Sequence, residues 1–360
     1  MDEAIQAVLL EGKFISGPQV QRLEEELAGY VGVPFCLTCA NGTDALSLVL
    51  RAWGIGEGDA VFVPDFTFFA SAETSRDRGA TPIFVDVSPD TYNMSPASLE
   101  QAVNAIKAKS GLRPRAVIPV DLFGLPADYT AIEAIAKRHD LLLLEDGAQG
   151  FGGSLNGSAC CSFGQAATTS FFPAKPLGCY GDGGAIFTND SELYTYLRSL
   201  AVHGKGTNKY DNVRIGVNSR LDTLQAAILL VKLQAFVRHE LDDANRAAMN
   251  YTRMLAGLVK TPTVPQHYST SWAQYTIQLK DKQQRERVIA ALKAADIPAM
   301  VYYPRPMSEQ AAFADILNVQ PMDCPVARSL CDRVVSLPLH PYITEQEQRH
   351  VVRVIEQTLT

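Results

Sequence analysis

Short apolar runs of strand length alternate with segments of helical spacing along most of this chain. The strand-like runs are Ala60–Pro64, Pro82–Val87, Ala116–Val120, Leu141–Glu145, Thr168–Phe172 and Gly184–Thr188. The helical patterns around them are Asn41–Trp53, Thr67–Arg78, Ser95–Lys107, Asp128–Arg138 and Ser191–His203. This alternation predicts an α/β fold with a mostly parallel central sheet flanked by helices.

A second, smaller unit is predicted towards the C-terminus. Helical spacing continues from Arg220 to about Leu258, and the prolines and threonines of the segment 260–265 are typical of a connection. The predicted elements beyond it are strands Tyr275–Leu279, Ala299–Tyr302 and Val334–Leu337 and helices Gln283–Ala294 and Thr344–Gln357. We therefore predict a large domain over residues 1–245 and a small α+β domain over residues 246–360.

Composition excludes several classes of partner. The chain has 360 residues with 47% hydrophobic content, which is enough for a large core. Its net charge of −7 gives no basic footprint, so nucleic-acid binding is not expected. No charged-then-apolar leader opens the chain and no apolar run approaches the length of a membrane span. We predict a cytoplasmic protein without a membrane segment.

Seven cysteines raise the question of a metal site. They include the spaced pair Cys36 and Cys39 and the adjacent pair Cys160 and Cys161. A zinc site would need a second correctly spaced pair or nearby histidines, and the sequence offers neither. We expect buried free thiols in a reducing compartment and no metal ion.

Lys175 is the residue whose surroundings most strongly suggest chemistry. It lies between Pro173 and Pro176 in a loop bounded by glycines. A lysine held in an apolar loop can lose its charge and attack an aldehyde, and the aldehyde here would be pyridoxal phosphate. A single lysine is otherwise most often a solvated surface group, so this interpretation depends on further residues.

Other segments supply what that cofactor needs. Asp146 ends the fourth strand-like run, where open α/β sheets bind ligands, and a buried carboxylate there can keep the ring nitrogen of the cofactor protonated. Gln149 is close enough in sequence to reach the same ring. The segment Ala40–Asp44 leads into a helix whose N-terminus can hold a phosphate. Taken alone, Asp146 could equally well be a helix cap, and Asn41–Gly42 could equally well be a turn. Together with Lys175, these residues favour a cofactor site.

In these segments the chain resembles the DegT/StrS family of sugar-nucleotide aminotransferases, which are pyridoxal-phosphate enzymes with the aspartate aminotransferase fold, fold type I. The resemblance covers nearly the whole chain. The segments that carry it are Gly12–Pro18, Asn41–Leu46, Pro64–Phe68, Glu145–Gln149, Ser170–Ala185, Asn218–Asp222 and Leu337–Pro341. It implies a large cofactor-binding domain, a small C-terminal domain and aminotransferase activity.

The resemblance implies roles around the cofactor ring. Lys175 would be the Schiff-base lysine and proton shuttle, and Asp146 would hold the pyridine nitrogen. Gln149 would lie near the ring hydroxyl, and Phe68 would stack on the ring. Because a protonated pyridine is a cation, the pKa of Asp146 is expected to fall beside it.

The resemblance also implies a site shared between two subunits. Gly42, Thr43 and Ser170 of one subunit would hold the cofactor phosphate. Asn218 would reach that phosphate from the neighbouring subunit. We therefore expect a homodimer, and a monomer without activity.

Two segments point to the substrate. Phe171–Thr188 and Asn218–Leu230 are most similar to enzymes that aminate the 3-position of UDP-2-acetamido-2-deoxy-3-oxo-glucuronate, for O-antigen or other cell-surface polysaccharide. L-glutamate is the expected amine donor, and Lys175 would move the proton in both half-reactions. The alternative substrate is another nucleotide-linked ketosugar, aminated at C4, or at C3 of a neutral sugar.

Local cations must meet an anionic nucleotide sugar, because the chain as a whole is acidic. The candidates are Arg220, His203, His340 and Arg305. Arg220 could hold the carboxylate of the sugar or of glutamate, or form an interface ion pair with Asp222 or another acid. A lone histidine is more often structural than catalytic. Tyr302 and Tyr303 could border the sugar site or fill the seam between domains.

Two other functional classes use this scaffold: a pyridoxal-phosphate lyase or dehydratase, and a cofactor-binding regulatory protein without turnover. Lys175 argues against the first, because the sugar dehydratases of the family replace that lysine. No DNA-binding module with a basic helix is visible, which argues against the second. The chain departs from the family pattern before Gly12, where a further strand and helix are usual, and at Gly147, where alanine is common. We expect little consequence at Gly147, because glycine blocks nothing.

Overall fold

The computed structural model describes residues 1–109, 111–208 and 210–360. Its strands are β1 (Phe35–Cys39), β2 (Asp59–Pro64), β3 (Thr81–Val85), β4 (Arg113–Val117), β5 (Leu142–Asp146), β6 (Ser154–Leu155), β7 (Ser158–Ala159), β8 (Ala166–Ser170), β9 (Gly184–Thr188), β10 (Tyr268–Ser269), β11 (Tyr275–Gln278) and β12 (Val334–Leu337). Its α-helices are α1 (Asp2–Glu11), α2 (Pro18–Val31), α3 (Gly42–Ala52), α4 (Ala70–Asp77), α5 (Pro96–Lys109), α6 (Tyr129–His139), α7 (Ser191–Leu200), α8 (Thr223–Ala235), α9 (Leu241–Leu255), α10 (Lys282–Ala294), α11 (Pro325–Arg333) and α12 (Glu345–Leu359).

Seven strands form the central sheet in the order β1-β9-β8-β5-β4-β2-β3. The pairs β2–β3, β2–β4, β4–β5 and β5–β8 are parallel, whereas β9 is antiparallel to both β8 and β1. Strands buried on both faces carry near-continuous apolar runs, which is why the sequence predicts them well. All six strands predicted for the large domain lie in this sheet, and the predicted α/β fold is confirmed.

The strand predictions differ from the structure at several places, since the two-residue strands β6, β7 and β10 were not predicted and two longer segments also differ. β1 was not predicted, because an apolar run of five residues has no distinctive period. The strand predicted over Ala299–Tyr302 is wrong. There Met300 forms a single antiparallel bridge with Ser336, with N–O distances of 3.1 and 2.8 Å. Pro298 and Pro304 have no N–H group, so pairing cannot extend along this segment.

Helix boundaries matter for the site at two places. α4 begins at Ala70, so Thr67 and Phe68 lie in the loop after β2 and not in the helix predicted there. α7 ends at Leu200, and His203, with φ of 57°, lies outside the helix predicted to include it. Both side chains, Phe68 and His203, are therefore presented from loops.

Two further helical segments can be compared with the sequence predictions. The long helical run is confirmed, because α8 and α9 are continuous through a π-helical turn at residues 236–240. α1 precedes Gly12, so the segment before that motif contains a helix that the sequence analysis did not predict. In the described parts of the chain, no helix combines the length and apolar character needed to cross a bilayer.

Helices cover both faces of the central sheet. Alternate residues of each strand enter opposite cores: α2, α5, α6 and α8 pack on one face, and α3, α7 and the segment 307–334 pack on the other. A separate apolar cluster joins α9, α10 and α12 to the β11–β12 pair. This cluster fits the small domain expected from the sequence, and the boundary between residues 245 and 246 stays a prediction.

Candidate active site

Asp146 lies at the carboxyl end of β5, in the middle of the sheet. It is buried, and its carboxylate accepts hydrogen bonds from the Ser71 hydroxyl (2.7 Å) and the Ala148 N–H (3.2 Å). Burial raises the pKa of Asp146, while the two hydrogen bonds and the positive charge of Lys175 act in the opposite direction. Each carboxylate oxygen keeps a lone pair for a further donor. The expected fall of this pKa beside a pyridinium stays a prediction.

Ser71 is a contributor that the sequence analysis missed. It lies in the first turn of α4, and its hydroxyl is 3.1 Å from the hydroxyl of Thr67. Thr67, Ser71 and Asp146 thus form a buried polar chain that fixes the carboxylate. The sequence carries one signal for it: Ser71 follows the Pro64–Phe68 segment closely and interrupts a buried helix face.

Lys175 lies in a loop after β8 that is closed by its own backbone. The Lys175 N–H donates to the Phe172 carbonyl (2.8 Å), and the Cys179 N–H donates to the Phe171 carbonyl (2.8 Å). Its side chain is half-buried. Burial lowers the pKa of Lys175, and the negative charge of Asp146 opposes this shift. The structure therefore brings the predicted lysine and carboxylate together, with the amine shifted towards its neutral, nucleophilic form.

Gln149, three residues after Asp146, hydrogen-bonds to two aromatic residues. Its Oε1 accepts from the Phe123 N–H (2.7 Å) and its Nε2 donates to the Tyr303 hydroxyl (3.0 Å). The Tyr303 ring lies 6.4 Å from the ring of Phe68, which is 55% exposed. Burial and the nearby charge of Asp146 raise the pKa of Tyr303, so its hydroxyl is protonated at neutral pH. An exposed aromatic face thus lies at the rim of the site.

Gly42, Thr43 and Ser170 meet at the N-terminus of α3. Asn41 caps this helix, its Oδ1 accepting from the Asp44 N–H (2.7 Å). A Cβ atom at Gly42 would lie 2.9 Å from the Cβ of Ser170, so glycine is what lets the two segments approach. A helix N-terminus with free N–H groups and two neighbouring hydroxyls is suited to a phosphate.

Asn218 precedes Ser219, which contacts the segment just before α3. The Ser219 hydroxyl accepts a hydrogen bond from the Ala40 N–H (3.1 Å), just before the helix cap. Asn218 itself is exposed and bridges to Val202. Its predicted reach into a neighbouring subunit stays a prediction.

Arg220 lies beside a cavity of about 590 Å³ that is also lined by Lys13 and by the Glu24–Arg198 ion pair. The Arg220 side chain is half-buried. Within the described ranges of the chain, Arg220 forms no ion pair with Asp222. Among the residues that the structure describes, Arg220 thus has no acid as an ion-pair partner.

The other predicted substrate contacts are on the surface. His203, His340 and Arg305 are exposed, and no contact described for residues 1–109, 111–208 and 210–360 joins them to Lys175. The carbonyl of His203 accepts from the Asn212 side-chain amide (2.8 Å), and His340 lies near Glu347 at the start of α12. Tyr303 is the predicted substrate contact that, within the described part of the chain, hydrogen-bonds directly to a predicted cofactor-site residue, Gln149.

A buried acid pair lies behind Asp146, on the opposite face of β5, and was not predicted. Glu145 accepts from the N–H groups of Cys161 and Phe163, and Asp121 accepts from the Tyr129 hydroxyl (2.7 Å). Burial raises the pKa of Asp121 to about 6, and burial together with the nearby Asp121 raises that of Glu145 well above its usual range. Among the described residues, the Asp121 Oδ2 has no hydrogen-bond partner.

Cys160 lies close enough to these two acids for three ligand atoms to fall within 4.8 Å of one another. Glu145 already accepts backbone hydrogen bonds on both carboxylate oxygens. Glu145 thus holds the segment 161–163 against β5, and the expectation of no metal ion stays a prediction.

The expectation that Gly147 has little consequence stays a prediction, but the structure shows a packing constraint there that the sequence did not. A Cβ atom there would lie 2.7 Å from the Cys161 Sγ and 3.0 Å from the Thr168 carbonyl oxygen. The Gly147 N–H also donates to that carbonyl (2.9 Å), which keeps the two strands close. Glycine is thus required by packing, because the sulfur of Cys161 occupies the space that an alanine methyl would need.

Residues 1–356 match the DegT/DnrJ/EryC1/StrS aminotransferase family. The chain belongs to this family. Among its relatives is the UDP-2-acetamido-2-deoxy-3-oxo-D-glucuronate aminotransferase of Pseudomonas aeruginosa, 46% identical over 95% of this chain and 91% of the relative. The UDP-N-acetyl-3-dehydro-alpha-D-glucosamine 3-aminotransferase of Acidithiobacillus ferrooxidans is 43% identical over 98% of this chain and 92% of the relative. The resemblance inferred from the motifs is confirmed.

Solved structures agree with the fold. An aminotransferase of this family from Brucella abortus superposes with a TM-score of 0.95 at 48% identity, covering 99% of this chain and 95% of that one. A Bacillus subtilis protein solved with bound cofactor PMP superposes with a TM-score of 0.88 at 27% identity, covering 99% of this chain and 80% of that one. The predicted fold type I is thus confirmed.

Proposed function

We propose that this protein is a pyridoxal-phosphate-dependent aminotransferase that acts on a UDP-linked ketosugar. The observation that carries the proposal is the electrostatic pairing of Asp146 with Lys175 at the carboxyl end of β5. Near the same sheet edge, the close-packed helix end at Gly42 meets Ser170. A buried carboxylate, an amine with a lowered pKa and a helix N-terminus are the groups that this cofactor requires.

The residues present fit pyridoxal phosphate. Those that would hold it are Asp146 at the ring nitrogen, Gln149 near the ring hydroxyl, Phe68 on the ring face, and Gly42, Thr43 and Ser170 at the phosphate, with Asn218 of the neighbouring subunit of a homodimer. Bound there, the cofactor supplies a conjugated ring that takes up the electrons left when a substrate carbon loses its proton. The name of the B. subtilis structure, which includes bound PMP, supports this cofactor.

The protein's own groups have separate tasks in this reaction. The Lys175 Nζ takes and returns the substrate proton, and its lowered pKa makes the neutral amine available as a base. Asp146 would keep a proton on the ring nitrogen of the bound cofactor, and the Ser71 hydroxyl holds Asp146 in place. Phe68 shields one face of the site from water.

For the substrate, we propose UDP-2-acetamido-2-deoxy-3-oxo-D-glucuronate, aminated at C3 with L-glutamate as donor. The name of the P. aeruginosa relative supports this sugar, and the name of the A. ferrooxidans relative supports a neutral 3-oxo sugar as the alternative. Arg220 would hold the carboxylate that distinguishes the two sugars, because a guanidinium binds a carboxylate through two parallel hydrogen bonds. His203, His340 and Tyr303 remain proposed substrate contacts.

Product formation tests this proposal. The protein is incubated with pyridoxal phosphate, L-glutamate and either 3-oxo sugar nucleotide, and the UDP-aminosugar and 2-oxoglutarate are measured by chromatography and mass spectrometry. We expect both products in equal amounts, formed faster from the uronate. Equal rates on the neutral sugar would contradict uronate specificity. No product from any ketosugar would favour a cofactor-binding protein without turnover.

Two further proposals concern the domain boundaries and the cellular location of the protein. We propose that residues 1–245 and 246–360 form the two domains and that the protein works in the cytoplasm. The separate apolar cluster of the small domain supports the first, and seven cysteines that are all free support the second.

A further inference from the structure

A buried aspartate that has no part in the proposed chemistry connects two segments of the site. Asp65 follows β2, is 1% exposed, and lies three residues before Phe68. Its Oδ1 accepts from the Ser308 N–H (2.6 Å) and its Oδ2 accepts from the Ser308 hydroxyl (2.9 Å). Its backbone carbonyl accepts from the Met307 N–H (2.8 Å). Three hydrogen bonds therefore join Asp65 to the consecutive residues Met307 and Ser308, the second of which lies 243 positions further along the chain.

The joined segment carries Tyr303. Between Tyr303 and Met307 lie Pro304 and Pro306, whose rings fix their φ angles, so the connection is stiff. Met307 is buried in the core, which anchors the other end of this connection. The position of Tyr303 thus depends on where residues 307 and 308 are held.

Tyr303 meets the residues proposed to surround the cofactor ring. Its hydroxyl accepts from the Gln149 side chain (3.0 Å), and its ring packs edge-on against Phe66 at 5.9 Å. Phe66 and Phe68 belong to the same loop as Asp65. One loop therefore presents Phe68 to the site and also holds the segment that presents Tyr303.

The neighbouring strand offers a comparison. Asp86, just after β3, is also buried, but it accepts from the N–H groups of Val326 (3.1 Å) and Ala327 (2.9 Å) at the start of α11. Asp86 therefore has the same chemistry and the same place at a strand end. It holds a different segment, one that does not carry Tyr303.

We propose that Asp65 is a positioning residue for the nucleotide-sugar site: it holds residues 303–308 so that Tyr303 stays against Gln149 and Phe68. A carboxylate suits this task because both of its oxygens accept, so it takes the N–H and the O–H of Ser308 at once. This inference rests on the proposed function, and it deepens that function by naming what sets the geometry of the proposed sugar contact.

The test compares Asp65→Ala, Asp65→Asn and Ser308→Ala with the matched control Asp86→Ala. For Asp65→Ala we expect the KM for the sugar nucleotide to rise about tenfold, the scale of a hydrogen bond to a charged group, with the KM for glutamate unchanged. Asp65→Asn can keep both contacts if the Ser308 hydroxyl accepts a hydrogen bond from the new amide instead of donating one. Its KM for the sugar nucleotide should therefore be much closer to that of the wild type than the KM of Asp65→Ala is. Asp86→Ala should leave the KM for the sugar nucleotide unchanged.

Two further readouts separate this proposal from the proposed function. Hydrogen exchange should become faster in peptides covering residues 303–310 in Asp65→Ala and Ser308→Ala but not in Asp86→Ala, and the visible absorption of bound cofactor should match the wild type in all of them. If Asp65→Ala does not fold, Ser308→Ala should give a smaller rise in the same KM. Unchanged exchange, or faster exchange with an unchanged KM for the sugar nucleotide, would overturn the proposal. If the wild type makes no aminosugar and does not bind the UDP-linked 3-amino-glucuronate, the proposed function fails, whatever the exchange data show.

Discussion

Lys175 and Asp146 interact electrostatically at the carboxyl end of β5, and each opposes the effect of burial on the pKa of the other. Burial is the larger effect for both groups, so the pKa of Asp146 is raised and that of Lys175 is lowered. Asp146 can exchange this partner for a protonated ring nitrogen, which leaves Lys175 free to act as a neutral base.

Asp146→Asn should reduce kcat by at least about a hundredfold, the scale on which a removed electrostatic partner acts in a buried site. Stability should be maintained, because burial raises the pKa of Asp146 and the amide carries no charge to bury. Steady-state kinetics and thermal unfolding measure the two effects. Ser71→Ala, which removes one hydrogen bond to the carboxylate, should lose much less activity. Full activity in Asp146→Asn would refute the assigned role.

Arg220→Lys should raise the KM for the uronate sugar nucleotide by about ten- to a hundredfold, because an ammonium cannot replace a two-pronged charge-assisted contact. The KM for the neutral 3-oxo sugar should change little. Arg198→Ala is the control, since Arg198 lines the same cavity but is paired with Glu24. A rise in the KM for glutamate instead would assign Arg220 to the donor.

Gly147→Ala should destabilise the protein by about 1–3 kcal/mol, the usual cost of overpacking, because the new methyl group meets the Cys161 sulfur at 2.7 Å. Denaturant unfolding measures this loss. Removing the sulfur in the double variant Gly147→Ala with Cys161→Ala should recover part of it relative to Cys161→Ala alone. Equal stability of Gly147→Ala and the wild type would contradict this prediction and would show that the loop carrying Cys161 can move aside.

Asp65 gives a prediction for pH. Burial raises the pKa of Asp65 to about 6 in the folded chain, despite the hydrogen bonds from Ser308 that lower it. Between the unfolded and folded values the folded state binds more protons, so this group contributes less stability as pH rises. The unfolding free energy of the wild type, relative to Asp65→Asn, should fall by about 1 kcal/mol from pH 5 to pH 8. A pH-independent difference would contradict the raised pKa.

Local patterns in the sequence predicted the sheet and the places of Asp146 and Gly42 in it, because these depend on neighbours in the chain. Asp146 could be predicted because it ends an apolar run, and Gly42 because it opens a capped helix. Ser71 and Asp65 could not, because their partners lie 75 and 243 residues away, and periodicity does not show which loops meet. The crowding around Gly147 was not predicted for the same reason, since the Cys161 sulfur beside it comes from a later loop.

The visible absorption spectrum of the purified protein with pyridoxal phosphate tests the central claim most directly. The account predicts an absorption band from cofactor bound through Lys175, present in the wild type and absent in Lys175→Ala. Addition of L-glutamate should remove the band, and a UDP-linked 3-oxo sugar should then restore it. A band that persists in Lys175→Ala, or one that no amine donor removes, would contradict the account.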